Sequence, residues 1–386
     1  MGSTYKVVYS FKRHRDGANP TGELVTLGNA LYGVTYSGGN EYGTLGTVYK
    51  VSDGGKEAVL HRFAGGADGA NPNRSGLINV NGTLYGATGT GGNGCSVGCG
   101  TIYSITAGGA ERVLYALRGG SKGAGPTGPL ISFDGALYGT AQVGGTSGCR
   151  GYGCGVIFKI GRDGSGYRVI HRFAGGVTDG AEPVSGLTGL AGKLYGTTYD
   201  GGSGKCDGGC GIVFEIGPSG GERVLYAFKG GRDGSHPDAG LIDVGGVLYG
   251  TTQEGGAAGC VLRRCGTIFE ISTSGAERVI YRFKGGATDG ASPQAPLLYV
   301  NGTFYGTTEF GGHCYDYEVG CGTIFAWYGP GKEKMLHAFG GGLDGSLPDG
   351  GMTALGSWLF GTTSDGGGSY NCGRIGCGAI FNVSSV

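Results

Sequence analysis

The chain has 386 residues, with 29 Lys plus Arg against 29 Asp plus Glu. That balance excludes a basic field able to attract nucleic acid or anionic lipid, and no apolar run reaches the ~20 residues of a membrane-crossing helix. Its 94 Gly and 11 Pro would suggest low complexity if they had no period. The chain also carries 23 Tyr and 15 Phe with many Val, Ile and Leu, enough for a large core.

The first element expected is a strand over Tyr5–Phe11, "YKVVYSF". The opening "MGSTYKVVYS" lacks the charged head and apolar stretch of an export signal, so any such signal is expected to lie outside this chain. From there the sequence repeats. Leu31, Leu84, Leu137, Leu194, Leu248, Phe304 and Leu359 each open a Leu/Phe-Tyr/Phe-Gly anchor, at intervals of 53 to 57 residues. Each unit holds four short strand candidates bounded by Gly, Asp, Asn or Pro, of the type "GLIDV", "LYGTT", "GIVFEI" and "ERVLYAF". No segment shows sustained helical spacing of apolar residues. Four-stranded units repeated around an axis make a β-propeller, which removes exposed sheet edges by radial repetition. The fold expected is therefore all-β, one seven-bladed propeller over residues 1–386 with a period of about 55 residues. The last unit has only "GMTAL", "WLFGTT" and "CGAIF", and residues 5–11 would supply its missing outer strand. A β-helix is the structural alternative, but its coils need fewer residues per repeat.

The turns between first and second strands are tight, "VNGTL" and "FDGAL" among them, and suit two-residue hairpins. Those between third and fourth strands are short as well. The opposite rim carries the blade-to-blade link, "DGANP" or a variant such as "DGSHP", and a long glycine-rich loop. The recurrent Asp of the link is read as a turn cap. Function belongs on the loop-rich rim, where a rigid scaffold presents variable segments.

Six of those loops hold a cysteine pair: Cys95/Cys99, Cys149/Cys154, Cys206/Cys210, Cys260/Cys265, Cys314/Cys321 and Cys372/Cys377. Six local disulfides and an oxidising compartment, extracellular or periplasmic, are expected. Zinc held by thiolates is the competing reading, though each blade supplies only half a tetrahedral site.

The motif "LYGTT-x-x-GG…GCGTIFEI…ERVLYxF-x-GG-x-DG-x-x-P" resembles the tandem GloVer-type repeats of secreted or surface-anchored bacterial proteins, along nearly the whole chain. The resemblance implies an exported protein. It carries no activity and no site residues.

Residues common to all blades are assigned to the fold, including the anchor tyrosines from Tyr32 to Tyr305. His61, His171 and His337 fill an outer-strand slot held elsewhere by tyrosine, and are read as packed or hydrogen-bonded. A single site would appear where repeats differ. At the mouth of the cysteine loop and just after the link proline, acidic groups gather on blades four to seven: Asp200, Asp238, Glu254, Glu309, Asp349 and Asp365. Blades one to three carry Arg74, Lys122 and Arg150 instead. The cysteine loop of blade six adds His313 and Tyr315. One reading is a solvated polar rim. The other is a glycan cleft, with Glu254, Glu309 and Asp365 as candidate catalytic carboxylates. Asp200, Asp238, Asp349, His313, Tyr315, Arg263 and Arg264 would then bind substrate. A uronate lyase would use His313 or Tyr315 as base beside Arg263 or Arg264. The expected activity is hydrolysis or elimination on an extracellular polysaccharide, the alternative a multivalent glycan- or protein-binding propeller. No cofactor and no metal site are expected. Asp-rich turns leave room for structural calcium, although EF-hand spacing is absent. The partner expected is a polysaccharide or glycan, and the protein a monomer without a membrane span.

Overall fold

The computed structural model describes residues 4–95, 98–257, 265–314 and 320–385. It consists of seven four-stranded antiparallel sheets, the blades of a β-propeller. Blade five shows the plan, with Ile242–Val244 innermost, then Val247–Thr252, Thr267–Ser272 and Glu277–Arg282. In the seventh blade the order is Thr353–Leu355, Trp358–Thr363, Ala379–Ser384 and then Tyr5–Ser10 from the other end of the chain. Tyr5 pairs with Val383 and Ser10 with Ala379, so the termini close this blade as the repeat count requires.

The sameness of the repeats has a packing cause. The anchor glycine of the second strand lies opposite an aromatic residue of the third, as Gly250 lies opposite Phe269. A Cβ on Gly250 would stand 2.6 Å from the Phe269 ring, and one on Gly33 would stand 2.5 Å from the Tyr49 hydroxyl. The ring therefore folds across the bare glycine, and any side chain there would displace it. The same aromatic residue receives the last Phe of the preceding blade edge-on. Phe228–Phe269, Phe283–Phe325 and Phe339–Phe381 have centroids 5.1, 5.1 and 5.3 Å apart. Such T-shaped contacts add ~0.5–1.5 kcal/mol beyond area burial, and they tie each blade to the next. The anchor tyrosines join this core, with Tyr32 packed among Leu77, Leu84 and Tyr103 of the neighbouring blade.

The tight turns behave as their sequences require. Asn81-Gly82 and Asp134-Gly135 have φ of 54 and 87°, and of 46 and 74°, the paired positive angles of a type I′ hairpin. A feature absent from the sequence pattern is a β-bulge in every outer ladder, such as that between Ile268 and Phe269.

Candidate functional site

Two backbone devices position the loop-rich rim. The blade-to-blade link runs beside the mouth of the cysteine loop and pairs with it: Ala181 with Asp200, Ser235 with Glu254, Ser346 with Asp365. The residue before each link proline is then left-handed, with φ of 53 to 63° at Asn19, Asn71, Gly125, Glu182, His236, Ser292 and Leu347. Proline disfavours the right-handed helical region for the residue before it, and the left-handed turn sends the chain inward to the axis. The link aspartates act as caps. The Asp233 carboxylate accepts the Lys229 N–H at 2.8 Å and the Tyr226 hydroxyl at 2.9 Å.

Five disulfides stiffen the loops, with Cα separations between 5.0 and 5.9 Å: Cys95–Cys99, Cys149–Cys154, Cys206–Cys210, Cys314–Cys321 and Cys372–Cys377. No described cysteine is free. Three of the bridges sit against the glycine that follows the outer strand, at Gly119, Gly175 and Gly230. A Cβ on Gly175 would meet Cys149 Sγ at 2.8 Å. The sixth expected bridge, Cys260–Cys265, is not among these five. Cys265 is described: it is disulfide-bonded and fully buried, in the cluster that holds Ile268 and Phe283. Its expected partner Cys260 lies outside the described residues, as do Arg263, Arg264 and Tyr315.

At the axis the site is built around Arg74. Blade two has four residues between link proline and strand leucine, Pro72 and Leu77, where the other blades have three before their leucine or, in blade seven, Met352. The extra residue is Arg74, itself left-handed at φ 43°. Its guanidinium crosses the axis to hydrogen-bond Asp238 of blade five and Gln294 of blade six. The Gln294 amide donates in turn to Glu309, which also accepts the Ser292 hydroxyl at 3.3 Å. Asp349 faces the same guanidinium. Burial pushes its carboxyl up to about 6 against the pull of Arg74, and its Oδ1 is buried without a hydrogen-bond partner. Arg74 divides the axial channel. A mouth of about 390 Å³ lies on one side, lined by Asn73, Thr127, Gln142, Glu182, Tyr199 and Gln253. A space of about 170 Å³ lies on the other, where burial raises Glu23 to about 7.

A second centre lies between the cysteine loops of blades four and five. His236 stands between Glu254, 3.3 Å from Nδ1, and Asp200, 3.7 Å from Nε2. Tyr199 leans on the imidazole at 4.6 Å between centroids, and its hydroxyl donates to Gln253 at 3.1 Å. Asp200 is raised to about 6, first by burial and then by Glu182, with His236 and Arg150 opposing. His236 and Glu254 line a cleft of about 700 Å³ with Lys205, Lys229 and Arg232.

The six acidic candidates thus divide among three places. Asp238, Glu309 and Asp349 surround Arg74, Asp200 and Glu254 flank His236, and Asp365 accepts the Asn19 amide at 3.3 Å where blade seven meets blade one. His313 is exposed on blade six and lines neither the cleft nor the channel. Two residues at these centres escape a reading by residue type. Arg74 is signalled by the one-residue insertion. His236 is signalled by being the only histidine among the seven residues before the link prolines.

Fold and rim together define a disulfide-stapled seven-bladed β-propeller with an arginine across its axis. The chain belongs to the Gloeobacter/Verrucomicrobia repeat family, whose model matches residues 1–152 and 146–376. No curated protein matches the sequence. Among solved structures, the chain is similar to a putative gluconolactonase at 12% identity, covering 99% of this chain and 92% of that one with a TM-score of 0.45. It is similar to a luciferin-regenerating enzyme at 13% identity, covering 100% and 96% with a TM-score of 0.43. An acylaminoacyl peptidase of Pyrococcus horikoshii is matched at 10% identity, over 90% of this chain and 49% of that one, with a TM-score of 0.49. Likenesses at this level concern the fold alone. Among the described residues no helix is long and apolar enough to cross a membrane.

Proposed function

We propose that the protein is an exported, polysaccharide-active propeller whose working site is the cleft between blades four and five. The observation that carries this reading is His236, held between Glu254 and Asp200 at the wall of a cleft that also presents Lys205, Lys229 and Arg232. An imidazole placed 3.3 Å from a carboxylate is positioned for proton transfer. Three cations beside it suit a sugar that carries a carboxylate, and they would stabilise the charge that develops when the proton next to that carboxylate is removed. His236 is the base in this scheme and Glu254 orients it. Hydrolysis would use the same groups differently, with Asp200, raised to about 6, as the acid and Glu254 as the base. Export accords with the five disulfides, which persist in oxidising compartments.

One observation favours binding without turnover: His236 is only 8% exposed. Incubation with uronate-containing and neutral polysaccharides separates the readings. Elimination yields unsaturated uronate that absorbs in the ultraviolet, hydrolysis yields new reducing ends alone, and a binding module retains the polymer and releases neither. Retention of no polymer and release of no product overturn the proposal.

A further inference from the structure

The outer joint between blades has a repeated construction. An outer-strand Tyr or His, the link Asp of the same blade, and a Glu opening the outer strand of the next blade meet there. Three joints use tyrosine, and its hydroxyl binds the carboxylates. Tyr9 donates to Asp16 at 2.7 Å, Tyr226 to Asp233 at 2.9 Å, and Tyr281 to both Asp289 at 3.0 Å and Glu333 at 3.4 Å. Two joints keep both carboxylates but replace the tyrosine by histidine. These are His61 with Asp68 and Glu111, between blades one and two, and His171 with Asp179 and Glu222, between blades three and four.

The exchange replaces a hydroxyl donor by an imidazole nitrogen. Oε1 of the joint glutamate is buried without a hydrogen-bond partner at the tyrosine joints (Glu57, Glu277, Glu333) and equally at Glu111 and Glu222. At the second histidine joint Nε2 of His171 is also buried without a partner, 3.8 Å from Asp179. His61 Nε2 lies 3.2 Å from both oxygens of Asp68. In each cluster one nitrogen and two carboxylate oxygens lie within 4.8 Å of one another. Ligand distances of ~2.0–2.2 Å to a single ion need only small side-chain rotations from this arrangement. Two carboxylates and a neutral imidazole balance a divalent charge, and a mixed nitrogen and oxygen set suits zinc or manganese better than calcium or magnesium.

We propose that these two joints are metal sites, each binding one divalent transition-metal ion that ties adjacent blades together, with water completing its shell. The third outer-strand histidine supplies an internal control. His337 pairs with Asp344 at 3.0 Å, but the Glu position is taken by Tyr5, stacked on the imidazole at 3.6 Å. That joint has one carboxylate and binds no ion.

The test is zinc binding to chelator-treated, disulfide-intact protein carrying no histidine tag, by calorimetry and equilibrium dialysis. Two equivalents are expected. His61→Tyr and His171→Tyr each restore the joint found in other blades and should each remove one equivalent, while H337Y retains both. Glu111→Gln and Glu222→Gln provide a second route if a tyrosine variant fails to fold. Zinc should raise the unfolding temperature of the parent and leave that of the double variant unchanged. Absence of zinc binding to the parent, or two equivalents persisting in the folded double variant, overturns the proposal.

Discussion

Arg74 and Asp238 lie 164 residues apart in the chain and meet across the propeller axis, the guanidinium of blade two against the carboxylate of blade five. Together with the Arg74–Gln294 hydrogen bond it joins opposite sides of a ring whose strands pack neighbour against neighbour. Asp238 is 7% exposed, so loss of Arg74 leaves a charge with little water to replace its partner. A fully buried pair broken on one side costs ~3–5 kcal/mol. The Arg74 side chain keeps 31% exposure, which lowers the expected cost of Arg74→Ala to about 2–3 kcal/mol. Urea unfolding of R74A checks this, and R74A/D238A should be less destabilised than the sum of the two single variants.

His236→Ala and Glu254→Gln should each lower kcat on the cleaved polysaccharide by ~10²–10⁴, the usual contribution of a positioned proton-transfer group. KM should change less, because the cations of the cleft remain. Asp365→Asn, at the seam of blades seven and one, should leave the rate unchanged. Steady-state kinetics on the three variants measure the difference.

Glu57, Glu277 and Glu333 are each raised from 4.5 to about 7, first by burial and then by the link Asp of the adjacent blade. Around Glu277 the Asp233 carboxylate adds to the shift, while the Tyr226 hydroxyl, Lys229 and Arg282 oppose it. Between pH 4.5 and 7 the folded protein holds protons that the unfolded chain has released, so stability falls as pH rises through this window. The triple variant Glu57→Gln, Glu277→Gln, Glu333→Gln copies the protonated state and should flatten this part of the profile. Melting temperatures between pH 4.5 and 8 measure the slope in both proteins.

Deleting residues 1–11 removes the outer strand of blade seven and uncovers the edge of Ala379–Ser384. It also removes the Tyr5–His337 stack and the Phe11–Tyr49 contact on either side of that blade. An open edge of this kind templates pairing with other chains. Calorimetry and light scattering should show loss of cooperative unfolding or aggregation.

Reduction should weaken the cysteine-loop rim. Loops of 4 to 7 residues separation are worth about 2 kcal/mol each in the chain-entropy model. Reductant should lower the melting temperature, and alkylation should label the cysteines only after reduction.

The propeller was legible because its information is local and repeated. Each blade pairs strands adjacent in the chain, and the spacing of Gly, Asp and Pro marks every turn, so the number of blades, their order and their closure by residues 5–11 follow from the period. The five close cysteine pairs were legible for the same reason. The candidate site was legible only in part. Asp200, Asp238, Glu254, Glu309, Asp349 and Asp365 look like one arc when aligned repeat against repeat. In space, the left-handed residue before each proline turns Asp238 and Asp349 toward the axis, and the pairing of link with loop mouth leaves Asp200 and Glu254 outside it. The partners come from distant repeats. Repeat alignment determined that the variable acidic positions fall on blades four to seven. Tertiary structure decided which acids share a cation, because the reach of Arg74 across the axis depends on a ring closed by all seven blades.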